Sequence, residues 1–101
     1  MSMGDIIREH ARLHILNALA EQPDHRLNSP MLRDNLADRW AINRPLDWVQ
    51  GELRWLADMG AITTLQAGDL LIATITESGL DHVEARRLIE GVKRNGPKAG
   101  S

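Results

Sequence analysis

The sequence predicts a mainly α domain with one small β-hairpin, an α+β arrangement in the order helix, helix, helix, hairpin, helix. Three observations predict it. Residues up to Gly60 fall into three segments with helical apolar spacing, separated by turn-rich junctions. Beyond Gly60 the composition turns β-branched and aliphatic around a Gly-containing loop. A Thr-led apolar segment then follows, with the form of a capped last helix.

Size and composition bound the problem. A chain of 101 residues, 43% hydrophobic and 26% charged, matches one globular core rather than a disordered or fibrous chain. With no Phe or Tyr and three Trp, that core is built from aliphatic side chains, with the indoles as its few large pieces. The absence of Cys excludes disulfides and thiolate metal sites and favours the cytoplasm. No segment has the apolar length to span a bilayer. A formal net charge of -2 argues against a general polyanion binder, while leaving room for a local basic patch.

The first helix is expected from Asp5 to about Ala20, ending before Gln22-Pro23-Asp24. Its apolar residues occupy two faces, with Ile15 and Leu19 projecting away from Leu13 and Leu16. The second face calls for a cover: another copy of the chain, giving a homodimer through helix one, or a wrapped terminus. The second helix begins with Ser29 as cap and Pro30 in the first turn, and runs to Arg39 or Trp40. After Ala41-Ile42-Asn43-Arg44, the third helix extends from about Arg44 to Met59, with Asn43 as its cap and Gly60 as its stop. Two short helices joined this tightly form a helix-turn-helix.

Strands are expected over 61–65 and 70–76 with Gln66-Ala67-Gly68-Asp69 as the loop, the wing. Thr76 caps a last helix that Gly91 ends, so the domain covers residues 1–91. Residues 92–101 form a flexible basic tail with Lys93, Arg94 and Lys98. This order is that of a winged helix-turn-helix.

Four stretches carry a resemblance to a known family. They are Arg12-Leu13-His14-Ile15-Leu16-Asn17-Ala18-Leu19 with Leu27-Asn28, Leu53-Arg54-Trp55-Leu56-Ala57-Asp58-Met59-Gly60-Ala61-Ile62, Ala73-Thr74-Ile75-Thr76-Glu77-Ser78-Gly79-Leu80, and Gly91-Val92-Lys93-Arg94. In these the chain resembles the small ArsR-like winged-helix proteins of Mu-like bacteriophages and prophages. The resemblance implies the fold and a link to DNA rather than a defined activity. Metal-sensing members of the wider family use cysteine thiolates, which this chain lacks.

On a DNA-binding reading the chain is a transcriptional regulator, and helix three offers Asp47, Gln50, Gly51, Arg54 and Asp58 to the major groove. Gln50 and Arg54 are the base-edge candidates, and Arg33, Arg39 and Arg44 approach phosphates, supplemented by Lys93 and Arg94 of the tail. Against this, Arg44 to Met59 holds two basic and three acidic residues, and the wing tip has no cation. The alternative is a protein-binding adaptor that uses Trp48, Trp55 and Met59, which share one flank of helix three, or the spare face of helix one. No enzyme chemistry is expected. His10 and His14 have the spacing of a metal pair but lack a third ligand, and no cofactor motif, nucleophile-base arrangement or phosphate loop occurs.

Overall fold

The structure, a computed structural model, describes residues 2–96. Helix α1 spans Met3–Glu21, longer at its N-terminus than expected because Ser2 and Asp5 form a reciprocal capping box. The Asp5 amide donates to Ser2 Oγ at 3.2 Å, and hydrogen bonding from Ser2 holds the Asp5 carboxyl below its ordinary pKa. A short strand, β1 (Arg26–Asn28), follows. It has too few residues to show a period and exists by pairing with a strand far along the chain.

Helix α2 spans Ser29–Trp40, and its cap is Asn28, one residue before the expected Ser29. Asn28 Oδ1 accepts from the Met31 amide at 2.9 Å, which frees the fully buried Ser29 hydroxyl for other partners. Ala41 closes the helix in the left-handed region at φ 54°, and the Ile42 amide donates back to Leu36 O. Helix α3 spans Leu46–Asp58 and starts two residues later than expected. Pro45 stands outside it with extended backbone, φ -67° and ψ 161°, and proline also disfavours helical geometry at Arg44. Asn43 is therefore not the cap, and no side chain caps the helix from the Pro45 position.

Strands β2 (Ile62–Ala67) and β3 (Leu70–Ile75) pair antiparallel across a two-residue turn, Gly68-Asp69, tighter than the four-residue loop expected. The sheet order is β1-β3-β2, so the first strand completes a three-stranded sheet by pairing with residues 72–74. Helix α4 spans only Glu77–Val83, capped as expected by Thr76, whose Oγ1 accepts from the Gly79 amide at 3.2 Å. The fold is an α+β winged helix, as the sequence predicts.

The expected continuation of the last helix to Gly91 is replaced by a strap, residues 84–96, that crosses back over α1. A buried histidine explains the change. His82 is fully buried, and its Nδ1 accepts from the Ile89 amide at 2.9 Å. Its Nε2 then carries the proton and donates to Lys93 O, also at 2.9 Å. A helix through residue 91 would satisfy the Ile89 amide internally; leaving it lets His82 hold that amide and the Lys93 carbonyl, and buries Ile89 and Val92.

The boundary at Gly91 is corrected with it, because the chain remains bound as far as Asn95. The Lys93 amide donates to Glu9 O at 3.1 Å, and Asn95 exchanges amide hydrogen bonds with Asn17 and donates to Val83 O. Lys98 lies outside the described residues. Leu13, Leu16, Ile15 and Leu19 of α1 are all buried within one chain, so its two apolar faces are covered by the fold and its wrapped terminus.

Gly79 marks the tightest junction. A Cβ there would collide with the Ala61 carbonyl oxygen and stand 2.7 Å from Ile75 Cγ1. Because backbone cannot swing aside, Gly79→Ala is expected to cost about 3 kcal/mol. A urea titration reads this as a lower midpoint with an unchanged slope.

Candidate nucleic-acid interface

The outward ridge of α3 consists of Asp47, Gly51, Arg54 and Asp58, all exposed, as helical periodicity predicts. A Cβ at Gly51 would meet nothing within 4 Å, so the backbone there is open to close approach. Among the described residues Arg54 has no ion-pair or hydrogen-bond partner, leaving all its guanidinium donors available. Arg44 enters the ridge from the N-terminal side, its guanidinium 5.6 Å from the Trp48 ring centre and donating to Asn43 O. Asp47 accepts from the Trp48 amide at 2.9 Å, serving a free N–H of the first turn.

The acidic excess of this helix is smaller at its surface than in its sequence. Glu52 is buried, and its carboxylate pairs with Arg12 Nε at 2.7 Å and lies 3.9 Å from Arg8 Nε. The exposed ridge thus balances Arg44 and Arg54 against Asp47 and Asp58.

Gln50 does not stand on the exposed ridge where a base-edge reader is expected. It is buried beneath the wing, where Nε2 donates to Ser29 Oγ at 3.1 Å and to Asp69 O at 3.0 Å. Periodicity places Gln50 at the border of the buried stripe, and only the packing of the wing decides which side of that border it takes.

The remaining basic residues do not gather on this ridge. Arg33 pairs with its neighbour Asp34. Arg39 reaches across to Glu21 at the end of α1, with its guanidinium near Trp40. Lys93 and Arg94 are exposed but sit on the strap, where the Lys93 backbone is fastened to Glu9 of α1 and His82 of α4.

Nor is the Trp48, Trp55, Met59 flank an open surface. The Arg12 guanidinium stacks on Trp55 at 3.7 Å from the ring centre while NH1 donates to Gly91 O at 2.9 Å. Gly91, at φ +91°, lies so close that a Cβ would come within 2.8 Å of the indole. Trp48 packs against the core, and only Met59 of the three is strongly exposed. Sequence reasoning missed Arg12 and Glu52 because both look like ordinary surface charges on amphipathic helices. Their separation of 40 residues carries no local signal.

Among the described residues no group of three His, Cys, Asp or Glu side chains that could hold a metal ion occurs around His10 and His14. His14 instead stacks on Trp40, ring centres 3.7 Å apart and nearly parallel, with Nδ1 buried and unpartnered.

Comparison with known proteins places this geometry. The chain is 34% identical over 97 residues to the uncharacterized protein gp26 of Escherichia phage Mu, covering 96% of this chain and 99% of gp26. It belongs to the gp26 family of phage Mu. No family model matches the sequence. Among solved structures, the complexes of hsRosR-S1 and hsRosR-S4 each align with a TM-score of 0.64 at 16% identity. Each alignment covers 74% of this chain and a little under two thirds of the other, 65% and 64% respectively. F93 from STIV, a winged-helix DNA-binding protein, aligns with a TM-score of 0.56 at 19% identity over 85% of this chain and 87% of that one. At these identities the likeness is one of fold. Because the gp26 match runs nearly end to end, it includes the strap as well as the helix-turn-helix and wing.

Two predictions follow the packing around α1. Removing the Arg12 guanidinium leaves Glu52 buried without its close partner, so Arg12→Met is expected to cost about 3 kcal/mol. Arg12→Lys should rescue little, since an ammonium lacks the planar fork that reaches Glu52 and Gly91 together. Denaturant unfolding of both variants reads this. Burial first, then the neighbouring His10 and Arg39, lower the His14 pKa below its ordinary 6.5. The folded chain therefore disfavours the proton. The stability carried by the neutral ring is complete above about pH 6.5 and is lost as pH falls from there towards the lowered folded value. Unfolding curves at pH 7 and 5.5 should show a loss that His14→Gln reduces.

Proposed function

We propose that this chain is a non-catalytic, DNA-binding winged-helix protein of phage or prophage origin that regulates transcription as an ArsR-like homodimer in the cytoplasm. The observation that carries the DNA reading is the α3 ridge, where the unpartnered Arg54 stands beside the bare backbone of Gly51. A helix entering a major groove needs such a combination: a fork of donors for a base edge and room for close approach. The burial of Glu52 supports the same reading by removing one negative charge from the approach. The description of F93 as a DNA-binding protein adds the precedent of a similar fold. The exposed apolar residues Met3 and Ile6 at the start of α1 supply surface for a second copy, and a two-fold axis would present two ridges to successive grooves.

The scatter of Arg33, Arg39, Lys93 and Arg94 away from the ridge favours a second reading, an adaptor that binds protein instead. In that case the contact falls on Met3 and Ile6 rather than on the internally covered tryptophans.

Fluorescence anisotropy against salt, first with mixed duplexes and then with genomic fragments of the source, separates the two. With Arg44 and Arg54 of each subunit at the phosphates and bases, log affinity is expected to fall with log salt at a slope of about -3 to -4. Arg54→Ala should weaken binding about tenfold. Arg39→Ala should leave it nearly unchanged. No binding at low salt by folded protein would overturn the DNA reading in favour of the adaptor.

A further inference from the structure

The wing reaches the core through Leu71, Ala73 and Ile75 of β3, and its tip is tied to the helices by one amide and one hydroxyl. Beyond Ile62 every residue of β2 is exposed, so no core lies beneath that strand. Strand β1 pairs only with residues 72–74 and leaves the outer part of the hairpin as a two-stranded ribbon. Such a ribbon is marginal on its own in water. Among the described residues, the hydrogen bonds from the outer ribbon to the helices are those through Ser29 and Gln50.

The two Gln50 donors and the two Ser29 lone pairs are all used. Asp69 O can only accept, so the amide nitrogen of Gln50 must face it, and the second hydrogen on that nitrogen goes to Ser29 Oγ. Ser29 Oγ also accepts from the Leu71 amide at 3.1 Å, so both of its lone pairs are used. Ser29 is fully buried at the first turn of α2, and Gln50 is on α3. One knot therefore joins the N-terminus of α2, the middle of α3 and the β3 side of the wing tip. Gln50 is the residue immediately before Gly51 of the ridge, so any displacement of the wing is measured from the ridge itself.

We infer that Gln50 and Ser29 are positioning residues that set the wing at a fixed distance from the α3 ridge, so that helix and wing meet a ligand as one rigid surface. This rests on the proposed DNA-binding reading for its purpose, but not for its geometry. Gln50 contributes no base contact; it decides where the wing backbone lies.

The test uses the free protein first. In Gln50→Met, which keeps the volume and removes both donors, hydrogen exchange at the amides of Asp69, Leu70 and Leu71 is expected to accelerate about tenfold, the loss of roughly one buried hydrogen bond. Amides in the middle of α3 keep their protection. Ser29→Ala should give the same pattern, and adding Gln50→Met to it should accelerate exchange little further, because the knot acts as a unit. Unchanged exchange at the wing, equal acceleration throughout the domain, or additive effects of the two substitutions would each overturn the inference. A DNA arm then separates positioning from readout. For duplexes that the unsubstituted protein binds, Gln50→Met should weaken all sequences about five- to tenfold with the salt slope kept, since no charge is lost. Weakening confined to one base position would overturn positioning in favour of direct reading. If the unsubstituted protein binds no DNA, the proposed function fails while the exchange result still decides the knot.

Discussion

The Arg12 guanidinium is the constraint on which the arrangement of this domain depends. It uses its face on Trp55, one edge on Glu52 and another on the Gly91 carbonyl, so a single planar cation joins α1, α3 and the strap. Each of these contacts suits arginine and no other residue: a flat surface for stacking, and donors in one plane for a carboxylate and a carbonyl at the same time. Gly91 is bound into the same assembly, because only a residue without Cβ both adopts φ +91° and lies flat against the indole. The orientation of α3, and with it the direction of the outward ridge, follows from this junction on one side and the aliphatic core on the other.

A second set of polar contacts performs the corresponding task at the opposite border of α3. Glu52 faces Arg12 of α1 and Gln50 faces the wing, one on each side of the stripe formed by Val49, Leu53 and Leu56. Both are buried polar groups with specific partners, Arg12 for Glu52 and Ser29 and Asp69 for the Gln50 amide, and buried groups paired in this way specify an arrangement. The aliphatic core supplies most of the favourable free energy of folding without choosing among close alternatives. These side chains choose among them.

Much of the fold was legible in the sequence because it is written in local signals. Helical spacing gave the three helices up to Asp58, Gly60 gave the stop of α3, and Thr76 gave the start of α4. Periodicity also placed Asp47, Gly51, Arg54 and Asp58 together on one face. What escaped depends on partners distant along the chain. Strand β1 is three residues long and is defined by β3; the strap is defined by His82 and Arg12; Gln50 is assigned to the interior by a wing that starts a dozen residues later. The caps of α2 and α3 shifted for a nearer reason: two polar residues compete at Asn28-Ser29, and Pro45 keeps the residue before it extended. The charge count of α3 misled in the same way, since a formal sum does not tell a solvated carboxylate from one already neutralised across 40 residues.

The closure of the strap also sets an order of events during synthesis. Its bonds to α1 join residues 78 and 79 positions apart, Asn17 with Asn95 and Arg12 with Gly91. A chain emerging from the ribosome N-terminus first can form its helix-turn-helix and wing from nearer contacts, but these bonds of α1 have no partner until residues 91–95 have emerged. Until then Arg12 and Trp55 face water on the side that Gly91 will cover. Closure of this domain thus waits for the strap, and a product truncated before Gly91 would expose the flank that the folded protein keeps closed.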